Sequence, residues 1–160
     1  MKKFLLLYWG MTALLFTIFY WDISPIATVV NHFQTDFIIW LTSLTLEDKM
    51  MDGHAILISK YYHLVIEKAC NGIIPYLFFM ASIIAFPSTL IDKVKWAVIG
   101  YVVLISMNIF RIWMITQLVM DEVSNFSLAH DMIGNVLLIV TSLFLFILFV
   151  KSRTRYNTQK

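Results

Sequence analysis

Three residue types in this chain have the means to do covalent chemistry together. Cys70 is the only cysteine among 160 residues and sits in the stretch Glu67–Phe79, EKACNGIIPYLFF, just ahead of an apolar run. Arg111 interrupts another long apolar run, and His130 is one of four histidines. A thiolate attacks carbonyls, an imidazole moves protons near neutral pH, and a guanidinium stabilises a developing oxyanion. Such a set would perform acyl transfer through a thioester. Cys70 is the candidate nucleophile, His130 the candidate general acid and base, and Arg111 the candidate oxyanion stabiliser. Asn108, three residues before Arg111, shares its helical face and supports it.

Each residue also has a plain reading. Lone cysteines in apolar chains are commonly small inert hydrophobes. A membrane arginine can snorkel to lipid phosphates or pair with an acid, and a boundary histidine can be polar surface. Placement decides between these, and the elements that carry the three residues set their placement.

Hydrophobic residues make up 60% of the chain and charged ones 14%, against about a quarter charged in soluble domains. An all-α integral membrane protein follows, as a single membrane domain over 1–160. Charge-free runs cover Phe4–Trp21 (18 residues), Ala69–Ile91 (23) and Met132–Val150 (19), and Trp96–Met120 (25) is broken only by Arg111. Each is long enough for a hydrocarbon core of about 30 Å at about 1.5 Å per residue. Four transmembrane helices are expected, at about 4–21, 70–91, 96–118 and 131–150. The first is read as a retained anchor rather than a signal peptide, because its apolar run is long and no small-residue cleavage site follows.

Segment 22–69 is expected outside the cytoplasm. Within Ile26–Leu46, apolar residues recur at three- and four-residue steps, while Thr28, Asn31, His32 and Thr35 fall largely on the other side. That pattern predicts an amphipathic helix on the membrane or the other helices, not a fifth crossing. The β-branched and aromatic residues after it suggest a short hairpin turning near Ser59–Lys60. With four spans and a cytoplasmic N-terminus, eight Lys and Arg residues lie inside and three outside, with Arg111 in a span. Both termini are therefore expected in the cytoplasm of a multi-pass plasma (inner) membrane protein.

This topology brings the three residues together. Cys70 begins the second span at its outer boundary, and His130 opens the fourth at the same boundary. Arg111 lies nine residues before Met120, at most about 14 Å deep. A buried arginine costs at least about 2.5–3.5 kcal/mol to insert, so it usually serves a polar cavity. A cation and a helix N-terminus near Cys70 would both favour its thiolate. Glu67 and Asp131 lie close by, and neither is assigned a role.

The motifs ACNGI at 69–73, NIFR at 108–111 and His130 at the head of the last span resemble the exosortase/archaeosortase family of membrane cysteine transpeptidases. The similarity runs from about Tyr62 to Val150. It implies a Cys70–Arg111–His130 catalytic set, with Asn71 and Gly72 as supporting residues of the cysteine motif. It also implies partners: proteins with a C-terminal sorting signal made of a short motif, a transmembrane helix and a basic tail. These would be cleaved on the extracytoplasmic side and passed to an acceptor nucleophile. The chain departs from the family in carrying Cys70-Asn71-Gly72 where Cys-Ser-Gly is usual, and in its small number of spans.

No cofactor and no metal are expected for this chemistry. The net charge of +2 carries no nucleic-acid footprint, and the lipid bilayer is the other expected partner. Two other readings stay open. Four histidines, Cys70 and nine methionines would suit a small metal- or haem-handling membrane protein, and a helical bundle would suit a non-catalytic assembly factor. Segment Ile26–Leu46 is expected to roof the site and limit water.

Overall fold

The structure, a computed structural model, describes residues 2–47 and 50–158, with side chains up to residue 152. Lys49 and Lys160, counted in the charge split, lie outside the described residues, as do the side chains of Arg153 and Arg155. Helix α1 spans Lys2–Phe19. Helix α2, Pro25–Ser43, starts where the Ser24 hydroxyl accepts from the Ala27 N–H and Pro25 supplies a preset φ. A three-stranded antiparallel sheet follows, in the order β1 (Met51–Asp52), β2 (Ala55–Ser59) and β3 (Tyr62–Val65). The expected hairpin is present, with Lys60 and Tyr61 as its two-residue turn. A 3-10 turn, Lys68–Cys70, leads into helix α3, Ile73–Ala85.

Helix α3 is shorter than the expected span 70–91. Gly72 adopts φ 77° at its N-terminal end, a left-handed conformation that stops a helix from extending back to Cys70. At the other end Pro87 holds Phe86 extended (φ −79°, ψ 135°), so the helix closes at Ala85 although the apolar run continues. Its 13 residues make about 20 Å of helix, less than a hydrocarbon core. The next helix, α4, is longer than the expected 96–118. Thr89 caps it by accepting from the Asp92 N–H, and it runs Leu90–Asp121. Lys93 and Lys95 end a charge-free run without ending a helix. A π-helical turn at Leu128–Gly134 precedes α5, Asn135–Thr158.

Among the described residues, three helical segments are long and apolar enough to cross a membrane: Lys2–Phe19, Leu90–Asp121 and Val123–Ser152. The chain is thus a mostly helical, multi-pass membrane protein. Its bundle core joins Phe79 and Ile83 of α3, Leu104 of α4, and Leu145 and Phe149 of α5. Gly100 lets the Phe79 ring lie on the α4 backbone, since a Cβ there would come within 2.1 Å of it. Such close approach drives helix association in lipid.

Helix α2 does not sort its residues into one polar, water-facing stripe and one buried apolar stripe. Asn31, Gln34, Thr35 and Thr42 are buried, while Val29, Phe33, Trp40 and Leu44 are exposed. Thr28 and His32, expected on the same polar side, are exposed, so only Asn31, Gln34, Thr35 and Thr42 turn inward, and three of them have hydrogen-bond partners there.

Candidate active site

Cys70 is held in place from three directions. Before it, the Lys68 ammonium binds the Tyr20 carbonyl and the Asp22 carboxylate at the α1–α2 corner. Its own carbonyl accepts from Asn108 Nδ2 at 2.8 Å, which ties it to α4. After it, fully buried Asn71 donates from Nδ2 to Asn31 Oδ1 (3.1 Å) and Thr35 Oγ1 (3.4 Å). Asn71 Oδ1 accepts from the Ile73 N–H at 3.0 Å, capping α3. The Asn71 carbonyl accepts from Gln34 Nε2, whose Oε1 in turn accepts from the Tyr101 hydroxyl. The unusual residue of the cysteine motif therefore joins α2 to the start of α3. A serine side chain, one heavy-atom bond shorter, could not span both contacts. Gly72 is doubly required, by its positive φ and because a Cβ would lie 3.1 Å from Asn108 Cγ.

Cys70 Sγ lies 3.8 Å from His130 Nε2. The other ring nitrogen, Nδ1, donates to Asp131 Oδ1 at 2.9 Å, and Ser127 Oγ donates to Asp131 Oδ2 at 3.1 Å. An ionised carboxylate only accepts, so this bond needs the ring proton on Nδ1. Nε2 is left with a lone pair toward the thiol. Phe126 stacks on the imidazole with centroids 5.2 Å apart and planes 19° off parallel. The π-helical turn provides this, setting His130 and Asp131 at the head of α5; π-turns often occur at functional positions.

Arg111 is 3% exposed and does not line the cleft beside Cys70 and His130. Its Nη2 donates to Asn135 Oδ1 at 3.2 Å, and Asn135 Nδ2 donates to the Asp131 carbonyl at 3.1 Å. Cys70 and Asp131 are both within Coulombic reach of the guanidinium. Its buried Nε–H has no acceptor among the described residues. Gly134 makes room for it, since a Cβ there would fall 2.6 Å from Nε.

Chemistry-bearing residues thus arrive from the 3-10 turn, α4 and the π-turn. A mainly apolar cleft of about 320 Å³ opens beside them, with Cys70, Glu67 and His130 in its wall together with residues of β3 and α4. Sequence reasoning placed Cys70, Arg111 and His130 together and named Asp131 without a role, but passed over Asn135, Ser127 and Gly134. Helix α2 does not line this cleft, so the expected roof of Ile26–Leu46 is replaced by the sheet; α2 instead buttresses Asn71 from behind. His32 and Asp36 point outward, 2.9 Å apart, with His54 3.7 Å from the same carboxylate. Among the described residues, no three His, Cys, Asp or Glu side chains are grouped to hold a metal ion.

The transmembrane exosortase family model matches residues 2–147, nearly the whole chain. The chain belongs to the transmembrane exosortase family. Membership suggests a membrane enzyme of the transpeptidase kind. No curated protein and no solved structure matches the chain.

Proposed function

We propose that this exosortase is a membrane cysteine transpeptidase that cuts C-terminal sorting signals through a thioester on Cys70. The observation that carries the reading is the Cys70–His130–Asp131 relay, at 3.8 and 2.9 Å, in the wall of an apolar cleft. His130 Nε2 accepts the thiol proton as Sγ attacks the scissile carbonyl. Negative charge then develops on the carbonyl oxygen. The Arg111 cation stabilises it in a poorly solvated setting, where one such donor is typically worth about 3–4 kcal/mol. Collapse breaks the C–N bond, and imidazolium His130 returns its proton to the leaving amine. An acceptor nucleophile, deprotonated by the same nitrogen, attacks the thioester and releases Cys70. The apolar walls limit the water that would otherwise hydrolyse that thioester.

The substrate carries a motif, a transmembrane helix and a basic tail, and is cut on the extracytoplasmic face of the plasma membrane. The excess of Lys and Arg on one side supports cytoplasmic termini and four crossings, α3 being the short one. A short span is accommodated by local thinning of the bilayer at modest cost. The exposed apolar side of α2 lies against lipid.

The test is co-expression with a protein bearing such a tail. Cleavage is expected with the wild-type enzyme and is expected to vanish with Cys70→Ala and His130→Ala. Cleavage that persists with Cys70→Ala would remove Cys70 as nucleophile.

A further inference from the structure

Strand β3 has a free edge. The sheet order β1-β2-β3 pairs it on one side only, in a register that sets Ala55 opposite Val65, Ile56 opposite Leu64 and Leu57 opposite His63. The Ile66 N–H continues this ladder by donating to the His54 carbonyl at 2.8 Å. Antiparallel pairs alternate, so Leu64, like Ile66, turns its backbone groups toward β2. His63 and Val65 turn theirs to the open edge, where they meet no backbone partner among the described residues.

That edge borders the cleft. Tyr62 through Glu67, six consecutive residues, line it. A cleft against one face of a strand would meet every second residue. An unbroken run means that the wall is the strand's backbone edge. Ile112 and Ile115 of α4 stand among the other walls, and Cys70, which follows the strand's last residue, Val65, by five positions, lines the same cleft. A row of unpaired amides and carbonyls beside an apolar trough is the template on which extended peptides add as strands.

We propose that the acyl-side segment of the polypeptide substrate binds as an added strand on the free edge of β3. It runs parallel to β3, because its C-terminal carbonyl must reach Cys70 Sγ. Main-chain hydrogen bonds to His63 and Val65 supply affinity independent of sequence. Specificity is then set at alternate positions, where every second substrate side chain faces Ile112 and Ile115 and is apolar. This rests on the acyl-transfer reading above for the identity of the occupant, and its test is separate.

Because Cys70 is the sole cysteine, a peptide can be tethered there without knowing the natural substrate. The probe is acetyl-Val-Thr-Val-Thr coupled to aminoethanethiol as its 2-thiopyridyl disulfide. The Cys70 thiolate displaces 2-thiopyridone, exchanging one disulfide for another with no net redox change. Amide hydrogen exchange is then followed in the full-length protein. Exchange at His63 and Val65 is expected to slow by about tenfold or more, with Tyr61 in the turn unaffected. N-methylation of the two threonine amides is expected to abolish the slowing, or N-methylation of the two valine amides, but not both. Complete labelling without slowing at His63 and Val65 would overturn the proposal. So would slowing that survives both methylation patterns, or a Cys70 that accepts the tether only after unfolding. Cys70-dependent cleavage without edge protection would sink strand addition alone, whereas cleavage by Cys70→Ala would sink the enzymatic reading.

Discussion

The far nitrogen of the His130 ring is already committed to Asp131 Oδ1, and this commitment makes the near nitrogen a base. Asp131→Asn replaces a pure acceptor with a group that can also donate, weakening the tautomer bias. Turnover is expected to fall about tenfold or more with KM little changed, and the pH–rate profile to shift. Unchanged kcat and profile would mean that Phe126 stacking alone orients the ring. Gly134→Ala tests Arg111 without replacing it, because the new Cβ would lie 2.6 Å from Nε and 3.0 Å from the Ala129 carbonyl oxygen. Activity is expected to drop about 100-fold, as when an oxyanion donor is lost, with helical content by circular dichroism unchanged. Wild-type activity would place Arg111 outside the reaction. Cys70, Arg111 and His130 stand out as candidates in the sequence because one is unique, one is costly where it stands, and one heads a span. Asp131 does not, because adjacent residues on a regular helix point apart, and only the π-turn geometry sets its carboxylate on Nδ1. Gly134 was hidden for a related reason: a glycine that gives space to a side chain 23 positions earlier in the chain leaves no local signal.

The short segment from Lys68 to Ile73 is the element on which the site depends, and its polar ties are its stability. Gly72→Ala would force a Cβ into φ 77° and against Asn108, an expected cost of about 1–2 kcal/mol from the backbone alone. Asn71→Ala strips partners from buried Asn31, Thr35 and the α3 N-terminus, at an expected cost of about 1–3 kcal/mol. Thermal unfolding in detergent checks both, and a Tm equal to wild type in either would contradict this role. The periodicity of α2 was visible in the sequence, but the burial of Asn31, Gln34 and Thr35 beside exposed Thr28, His32 and Asp36 was not. Periodicity separates two faces; it does not say which one is buried, and in a membrane protein the polar face can be the inner one. The hairpin was legible from Ala55–Val65 because its β-branched and aromatic residues favour strands. Charge-free length overextends α3 at both ends, because Gly72 and Pro87 set them and neither carries a charge.

For the whole molecule, the proposed orientation puts the sheet and the reacting residues on the face away from the cytoplasm. In a Cys70→Ala background, a cysteine replacing Tyr61, 95% exposed at the hairpin turn, is expected to react with a membrane-impermeant maleimide on intact cells. One replacing Ser152 is expected to react only after lysis, and the reverse pattern would invert the topology. One arrangement then links residue, element and bundle: helices α1 and α2 brace the Cys70 turn, α4 brings Arg111 and Asn108, and the π-turn brings His130. The most direct measurement is intact-mass detection of the enzyme after turnover on a tripartite-tail protein. An adduct on Cys70 equal to the acyl product less one water, released by hydroxylamine, is the expected result. Tail cleavage with Cys70 unmodified throughout, and persisting in Cys70→Ala, would contradict a thioester route.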